Sequence, residues 1–208
     1  NWAMMIPGIK VVAPAFPADV KGLIAAAVRD PDPVIIFEQK SLYAFKGEVP
    51  EGEHVEEIGK AKVLRQGTDC TIVALALMVH RALDAAEILQ RDHGISCTVV
   101  DVRSLVPLDT LTILAEVAKT GRLVTIEENP RLCGWGAEIA SIVADEIFWD
   151  LDGPIIRITT PHIPLPSADL LEDNTIPSVE RVVRDHLRPV QARHRPQQAS
   201  NSMRLQVL

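Results

Sequence analysis

The sequence predicts an α/β fold built on a mainly parallel sheet, and three adjoining stretches carry that prediction. Residues 71–77 form a nearly unbroken apolar run behind Gly67 and Asp69, as a strand buried on both faces does. Across residues 79–90 the apolar positions Val79, Leu83, Ala86, Ile88 and Leu89 recur near helical spacing, and Gly94 stops the run. The β-branched stretch 97–102 is too short for an ordinary helix and rich in strand formers. Strand, helix and strand make a βαβ unit, because two parallel strands need a crossover of about a dozen residues and the helix supplies it.

The other elements follow from the amino terminus. Ile6-Pro7-Gly8 is a turn, and residues 10–13 (KVVA) are a short strand. Pro17 suits a helix's first turn and Asp19 its positive end, so a helix is predicted over 17–29. Asp30-Pro31-Asp32-Pro33 must break it, since each proline drives its predecessor out of helical angles. Residues 34–37 (VIIF) complete a second β-α-β element. Residues 38–59 hold Glu48, Glu51, Glu53, Glu56 and Glu57 with no periodicity, which predicts a linker between domains. Residues 60–65 alternate weakly, as an edge strand does. Residues 104–109 predict a loop ending in a cap at Asp109, before a helix over 110–119 that Gly121 ends. A strand over 122–127, a loop over 128–134, a helix over 136–149 and a strand over 154–158 come next. After the proline-rich stretch 161–166, a helix over 178–188 buries Val179, Val182, Val183 and Leu187. The Arg-, Gln- and Ser-rich residues beyond Pro189 are expected to be disordered by composition, with 205–208 able to dock.

A net charge of −7 without a Lys/Arg cluster before the tail argues against nucleic acid as the main partner. The apolar runs break well before the roughly 20 residues of a membrane span, and a soluble protein with no membrane partner is expected. Cys70, Cys97 and Cys133 are odd in number and spaced unlike metal ligands, which fits a reducing compartment. The start at Asn1-Trp2-Ala3, without Met, suggests that part of a longer protein is missing.

Chemistry is sparse at the level of spacing. Gly134-Trp135-Gly136 opens a helix after a strand, as a phosphate-cradling turn would, but Ile139 stands where a third glycine belongs. Close packing of loop on helix is the favoured role. The six histidines make no metal-like pair, and no Ser/His/Asp or Cys/His constellation can be argued. His162 lies in a loop at the carboxyl end of a strand, where α/β ligands bind, against the commoner packing or surface role. Asp30 and Asp32 sit where a helix's last carbonyls are unpaired and a hard cation finds oxygens, although spacing alone favours a solvated turn. Glu127-Glu128-Asn129 reads either as an acid/base pair or as a solvated strand end.

Six stretches together carry a resemblance: PGIKVVAP (7–14), KGLIAAAVRDPDPVIIFE (21–38), IGKAKVLRQGTDCTIV (58–73), VVDVRSLVPLD (99–109), TGRLVTIEE (120–128) and LLEDNTIPSVERVV (170–183). In order and spacing over residues 6–188 the chain resembles the β subunit of the thiamine-diphosphate-dependent dehydrogenase component of 2-oxo-acid and acetoin dehydrogenase complexes, in the transketolase superfamily. The resemblance implies a C-terminal remnant of a pyrimidine-binding domain at 1–50, a linker at 51–59, a three-layer transketolase C-terminal domain at 60–188 and a tail at 189–208. It implies partnership with an α subunit and a second β subunit, and with a dihydrolipoyl acyltransferase core. Thiamine diphosphate and Mg2+ would be bound largely outside this chain. The family's cofactor-activating glutamate and active-site histidine fall upstream of Asn1, so no turnover by this chain alone is expected. The alternatives are a stand-alone assembly module and, from the Gly134 turn, an unrelated nucleotide-binding domain.

Matched by position, the family's potassium-like site falls on backbone carbonyls of Ala27 and Val28 and on oxygens of Asp30 and Asp32. Relatives carry Ile and Asn where this chain has Val28 and Asp32; the extra charge of Asp32 leaves the preferred cation open. Asp152 matches an acidic position in the surface that relatives offer to the acyltransferase core. LYAFKGEVPE (42–51) and TPHIPLP (160–166) are similar to acetoin-type rather than pyruvate or branched-chain subunits. The implied location is a bacterial cytoplasm or an organelle matrix.

Overall fold

The computed structural model describes residues 1–192, with side chains through Leu187. Two sheets form. The first, of three strands, has β1 (Lys10–Val12) at its centre, parallel to β2 (Val34–Ile36) and antiparallel to β6 (Ser104–Val106). The second contains β3 (Lys62–Arg65), β5 (Cys97–Asp101), β4 (Cys70–Ala74), β7 (Leu123–Pro130) and β8 (Ile156–Thr160), in that spatial order. Its β3 edge pairs antiparallel and its other neighbours pair parallel. The sheet is therefore mainly parallel.

Helix α1 (Pro17–Arg29) joins β1 to β2, and α2 (Leu77–His93) makes the crossover from β4 to β5. Gly94, at φ 67°, stops α2 by turning its N–H onto the carbonyls of Gln90 and Leu89. The apolar run continues through Leu77, but the strand ends at Ala74 because the chain turns at Ala76, at φ 52°. Apolarity marks burial there and does not encode the turn. The other helices are α3 (Thr110–Thr120), α4 (Trp135–Glu146), α5 (Asp169–Thr175) and α6 (Val179–Ala192). Asp109 caps α3 by accepting the Thr112 N–H at 3.2 Å.

Alternate residues of the buried strands point to opposite faces. Ile72, Ala74, Val99 and Ile126 pack on α2 and α6 through Met78, Val79, Ala82 and Val182. Val73, Val100 and Leu123 pack on α3 and α4 through Ile113, Val117, Ile139 and Val143. Helices on both faces give three layers, as the βαβ pattern predicts.

Several expectations need correction. Residues 104–106, read as loop, form β6 and complete the first sheet by pairing with β1. The element is short and polar at Ser104, so only its tertiary partner makes it a strand. Residues 38–59 are not a free linker, because they pack back along α1: the Glu56 N–H bonds the Gly22 carbonyl, Lys21 bonds the Pro50 carbonyl and Arg29 pairs with Glu53. Helix α4 ends at Glu146, with a separate turn at Phe148–Asp150, and α5 is a helix that the pattern does not announce. Helix α6 runs through Pro189 to Ala192, past its expected end. The rest of the tail, including 205–208, lies outside the described residues. Among the described residues no helix is long and apolar enough to cross a membrane.

Candidate functional site

Three side-chain assemblies stand out, and the aspartate turn after α1 comes first in the chain. Prolines at 31 and 33 force the backbone out of the helix, and the Asp30 N–H returns to the Ala27 carbonyl at 3.3 Å. The structure brings Ala27, Val28, Asp30 and Asp32 to one helix end. It also brings a group that spacing does not reveal. Lys10 Nζ lies 2.7 Å from both Asp30 carboxylate oxygens and 3.3 Å from Asp32 Oδ2. Parallel pairing sets Lys10 opposite Val34, just past the turn, so the side chain reaches both carboxylates. The Lys10 ammonium, with the Asp32 N–H, holds the Asp30 carboxyl below the usual range; Asp30 in turn raises the lysine. A further cation would have carbonyl oxygens and the outer part of Asp32 to bind, not the whole Asp30 carboxylate.

The second assembly closes the carboxyl ends of β7 and β8. Glu127 is fully buried, neither a solvated strand end nor a free acid. Its Oε1 accepts Arg157 Nε at 3.1 Å and Nη2 at 2.7 Å, while its Oε2 accepts Asn129 Nδ2 and the Gly136 N–H at 2.9 Å each. The amino terminus of α4, which a phosphate would need, thus already holds a carboxylate. A Cβ at Gly136 would collide with that carboxylate and with the Thr125 hydroxyl, so both glycines serve close packing. This removes the support for a nucleotide site at Gly134.

Beside it, the strand order of the second sheet reverses between β4 and β7, the position where open α/β sheets bind ligands. Here the chain fills its own crevice. Gln39 Oε1 accepts the Leu77 N–H at 2.9 Å, and its Nε2 donates to both Glu128 oxygens at 2.8 and 2.6 Å. Burial raises the Glu128 carboxyl and the Gln39 amide partly offsets it. His80, next along α2, lies between Phe16 and Phe45 with its Nε2 2.9 Å from the Ala15 carbonyl oxygen. His162 is exposed in the loop after β8, away from such a cluster.

The third assembly is a buried charge network at the seam between the sheets. Asp19 of α1 is wholly buried, and its Oδ1 accepts Arg103 Nη1 at 3.0 Å and lies 3.4 Å from Lys62 Nζ. Arg103 also donates to Glu56 at 3.1 Å and to the Lys60 carbonyl at 3.2 Å. Its φ of 53° turns the chain out of β5 into β6. Asp101, wholly buried beside it, accepts the Arg103 N–H at 3.1 Å. Burial first, and then the Asp19 charge, push its carboxyl up to about 8. Asp19 Oδ2 and Asp101 Oδ2 are both buried without a hydrogen-bond partner, and a proton on Asp101 spares a second buried, uncompensated negative charge near Asp19. Sequence reasoning missed this network, since Asp19 reads as a helix-dipole residue and Arg103 as part of a loop.

Asp152 is exposed at the opposite, amino-terminal end of the second sheet, where its N–H bonds the Gly121 carbonyl at 2.7 Å. Cys70 and Cys97 are buried at facing positions of β4 and β5, and Cys133 is exposed. Among the described residues no group of three His, Cys, Asp or Glu is placed to hold a metal ion.

Comparison with known proteins gives a consistent result. Residues 59–182 match the family described as transketolase, C-terminal domain, and residues 1–46 match the transketolase pyrimidine binding domain. A curated relative, the acetoin:2,6-dichlorophenolindophenol oxidoreductase subunit beta of Cupriavidus necator, is 46% identical over 177 residues, covering 85% of this chain and 52% of that protein. The Bacillus subtilis protein of the same name is 47% identical over 179 residues, covering 86% and 52%. The pyruvate dehydrogenase E1 component subunit beta of Rickettsia felis is 47% identical over 178 residues, covering 86% and 54%. The chain thus spans about half the length of the curated relatives it matches. A solved structure titled "Split gene transketolase, inactive beta4 tetramer" superposes with a TM-score of 0.75 at 28% identity, covering 91% of this chain and 59% of that one.

Proposed function

The chain belongs to the transketolase C-terminal domain family, and from that premise we propose that it is part of the β subunit of a thiamine-diphosphate-dependent dehydrogenase. The reaction would be oxidative decarboxylation of pyruvate or a related 2-oxo acid, or cleavage of acetoin, with acyl transfer to lipoamide. The observation that carries this reading is the 46% identity, sustained over 177 residues, to a protein named as a β subunit of an acetoin oxidoreductase. Residues 42–51 and 160–166 are closer to acetoin-type subunits, while the pocket that chooses among these substrates would be built mainly by the α subunit.

Residues 1–50 would complete a pyrimidine-binding domain, 51–59 join it to the C-terminal domain at 60–188, and 189–208 form a tail. Thiamine diphosphate and Mg2+ would belong to the whole enzyme, bound largely outside this chain. This chain's part is then to assemble and brace: it pairs with an α subunit and a second β subunit, and Asp152 faces the dihydrolipoyl acyltransferase core. The setting is a bacterial cytoplasm or an organelle matrix, since the relatives include bacterial and mitochondrial proteins. The alternative of a stand-alone assembly module makes the same contacts without a reaction.

Reconstitution tests the reading. This chain, mixed with an α subunit, should bind it and show no acetoin- or pyruvate-dependent dye reduction, whereas a longer β subunit should restore turnover. Turnover by this chain with the α subunit would overturn the bracing role, and failure to bind the α subunit would overturn the β-subunit reading. For Asp152, a charge reversal should weaken capture by the acyltransferase core, and unchanged capture removes that residue. A monovalent cation, K+ by preference, would sit on the carbonyls of Ala27 and Val28 with oxygens of Asp30 and Asp32. Divalent ions are disfavoured because Lys10 already neutralises Asp30. Replacing KCl with tetramethylammonium chloride should then lower the melting temperature, and more so in Lys10→Met. Equal melting in both salts, in both proteins, rules the site out.

A further inference from the structure

The carboxyl ends of β1 and β2 open onto a groove that shares Gln39, Phe16 and Phe45 with the crevice and is not lined by the seam's Asp19–Arg103 pair. It encloses about 250 Å³ between the start of α1 and the segment 38–45, with Phe16, Pro17, Val20, Leu42, Tyr43 and Phe45 on its walls and Glu38 at its rim. The walls are held from behind. The His80 ring is 4.8 Å from Phe16 and 4.5 Å from Phe45, and Gln39 ties the segment to Leu77 and Glu128. Their outer faces are open, Tyr43 being 68% and Phe45 43% exposed. The aromatic surface is thus pre-set before anything covers it, which lowers the entropic cost of covering it.

The charge on the rim narrows what fits. The Tyr43 hydroxyl donates to Glu38 Oε2 at 3.0 Å, and this is the hydrogen bond Glu38 makes among the described residues. Glu38 forms no ion pair there, although Lys40 and Lys46 flank it in the sequence. An anion would meet the carboxylate and the negative faces of the rings. A neutral apolar side chain would bury Glu38 without compensating it. A planar guanidinium satisfies both features, stacking on aromatic faces while presenting paired N–H donors to a carboxylate. A bare guanidinium fills a fraction of the volume, and Pro17, Val20 and Leu42 form an apolar wall suited to the methylene stem of arginine. We infer that this groove receives an arginine side chain from a partner polypeptide. The inference rests on the groove alone and stands whether or not the thiamine-dependent reading holds.

The test uses this chain with 13C-labelled Phe and Tyr rings, titrated with Ac-Gly-Arg-Gly-NH2, its citrulline counterpart and free guanidinium chloride. The arginine peptide should give saturable shifts of Phe16, Tyr43 and Phe45. The citrulline peptide, which keeps shape and loses charge, should bind about tenfold more weakly or less, the ratio that 1.4 kcal/mol supplies. Glu38→Gln should lose affinity by a similar factor at an unchanged melting temperature. Equal binding of the two peptides would reduce the groove to an apolar surface and overturn the inference, as would undiminished binding by Glu38→Gln or the absence of ring shifts. Guanidinium binding as tight as the arginine peptide would assign the groove to a small cation instead of a polypeptide.

Discussion

Raising the pH from 6.5 to 8 should loosen the seam between the two sheets, and Asp101 should be the residue responsible. Its carboxyl is raised from 3.8 to about 8 by burial and by Asp19, so in this window the folded protein holds a proton that the unfolded chain has released. Stability must therefore fall as pH rises, by at most about 1.4 kcal/mol per pH unit, and level off above the folded value. Titration over that interval, with the group half ionised at its upper end, amounts to about 1.6 kcal/mol, or about 3–6 °C in melting temperature for a chain of this size. The groups facing Asp101 fix the direction: Arg103 and Lys62 favour its ionised form, while burial and Asp19 oppose it more strongly. Glu56, bonded to the same Arg103 Nη1 as Asp19, adds a third carboxylate to two cations. The lower limit of the window is set by His186, which burial, with the Arg122 charge, lowers to about 4. It acts in the opposite sense, because its stabilisation is present above its ordinary 6.5 and lost as pH falls toward 4. The assay is urea unfolding at pH 6.5, 7.25 and 8 for the native protein and for Asp101→Asn, which keeps an acceptor for the Arg103 N–H and cannot ionise. The native midpoint should fall with pH, while that of Asp101→Asn should stay level. Parallel slopes in the two proteins would refute the placement of the proton on Asp101.

Other consequences follow from the same geometry. Glu127→Gln should destabilise the fold by about 3–5 kcal/mol in urea unfolding, because Arg157 is left buried without its counter-charge. Gly136→Ala should cost about 1–3 kcal/mol, since its Cβ displaces either the Glu127 carboxylate or the start of α4. Gln39→Ala should speed amide exchange over residues 42–45 and raise the Glu128 carboxyl further, because Gln39, ahead of Arg81, is the larger of the two groups that lower it; an unchanged exchange rate would show that the segment is anchored elsewhere. Replacing His186 with Gln should flatten the acid side of the stability profile between pH 4 and 6.5, with little effect above it.

The sequence by itself determined the elements whose burial is written into one-dimensional pattern. The runs at 71–74 and 97–101 are strands because uninterrupted apolar and β-branched residues suit the middle of a covered sheet, and Gly94 and Gly121 end helices because each takes the left-handed conformation that a C-terminal cap needs. The motif order likewise determined the family, since short matched stretches in fixed sequence are a one-dimensional property. What tertiary structure decided are the relations between residues far apart in the chain. Residues 104–106 become a strand because β1 is there to pair with them, Lys10 neutralises the aspartate turn because β1 and β2 run parallel, and Gln39 occupies a crevice formed by β4 and β7. Asp19, Glu56, Asp101 and Arg103 show nothing unusual in sequence; each becomes a strongly perturbed or paired charge only when folding removes the water that would have screened it. Local pattern records how much of a residue is buried, and spatial neighbours set what burial then does to its chemistry.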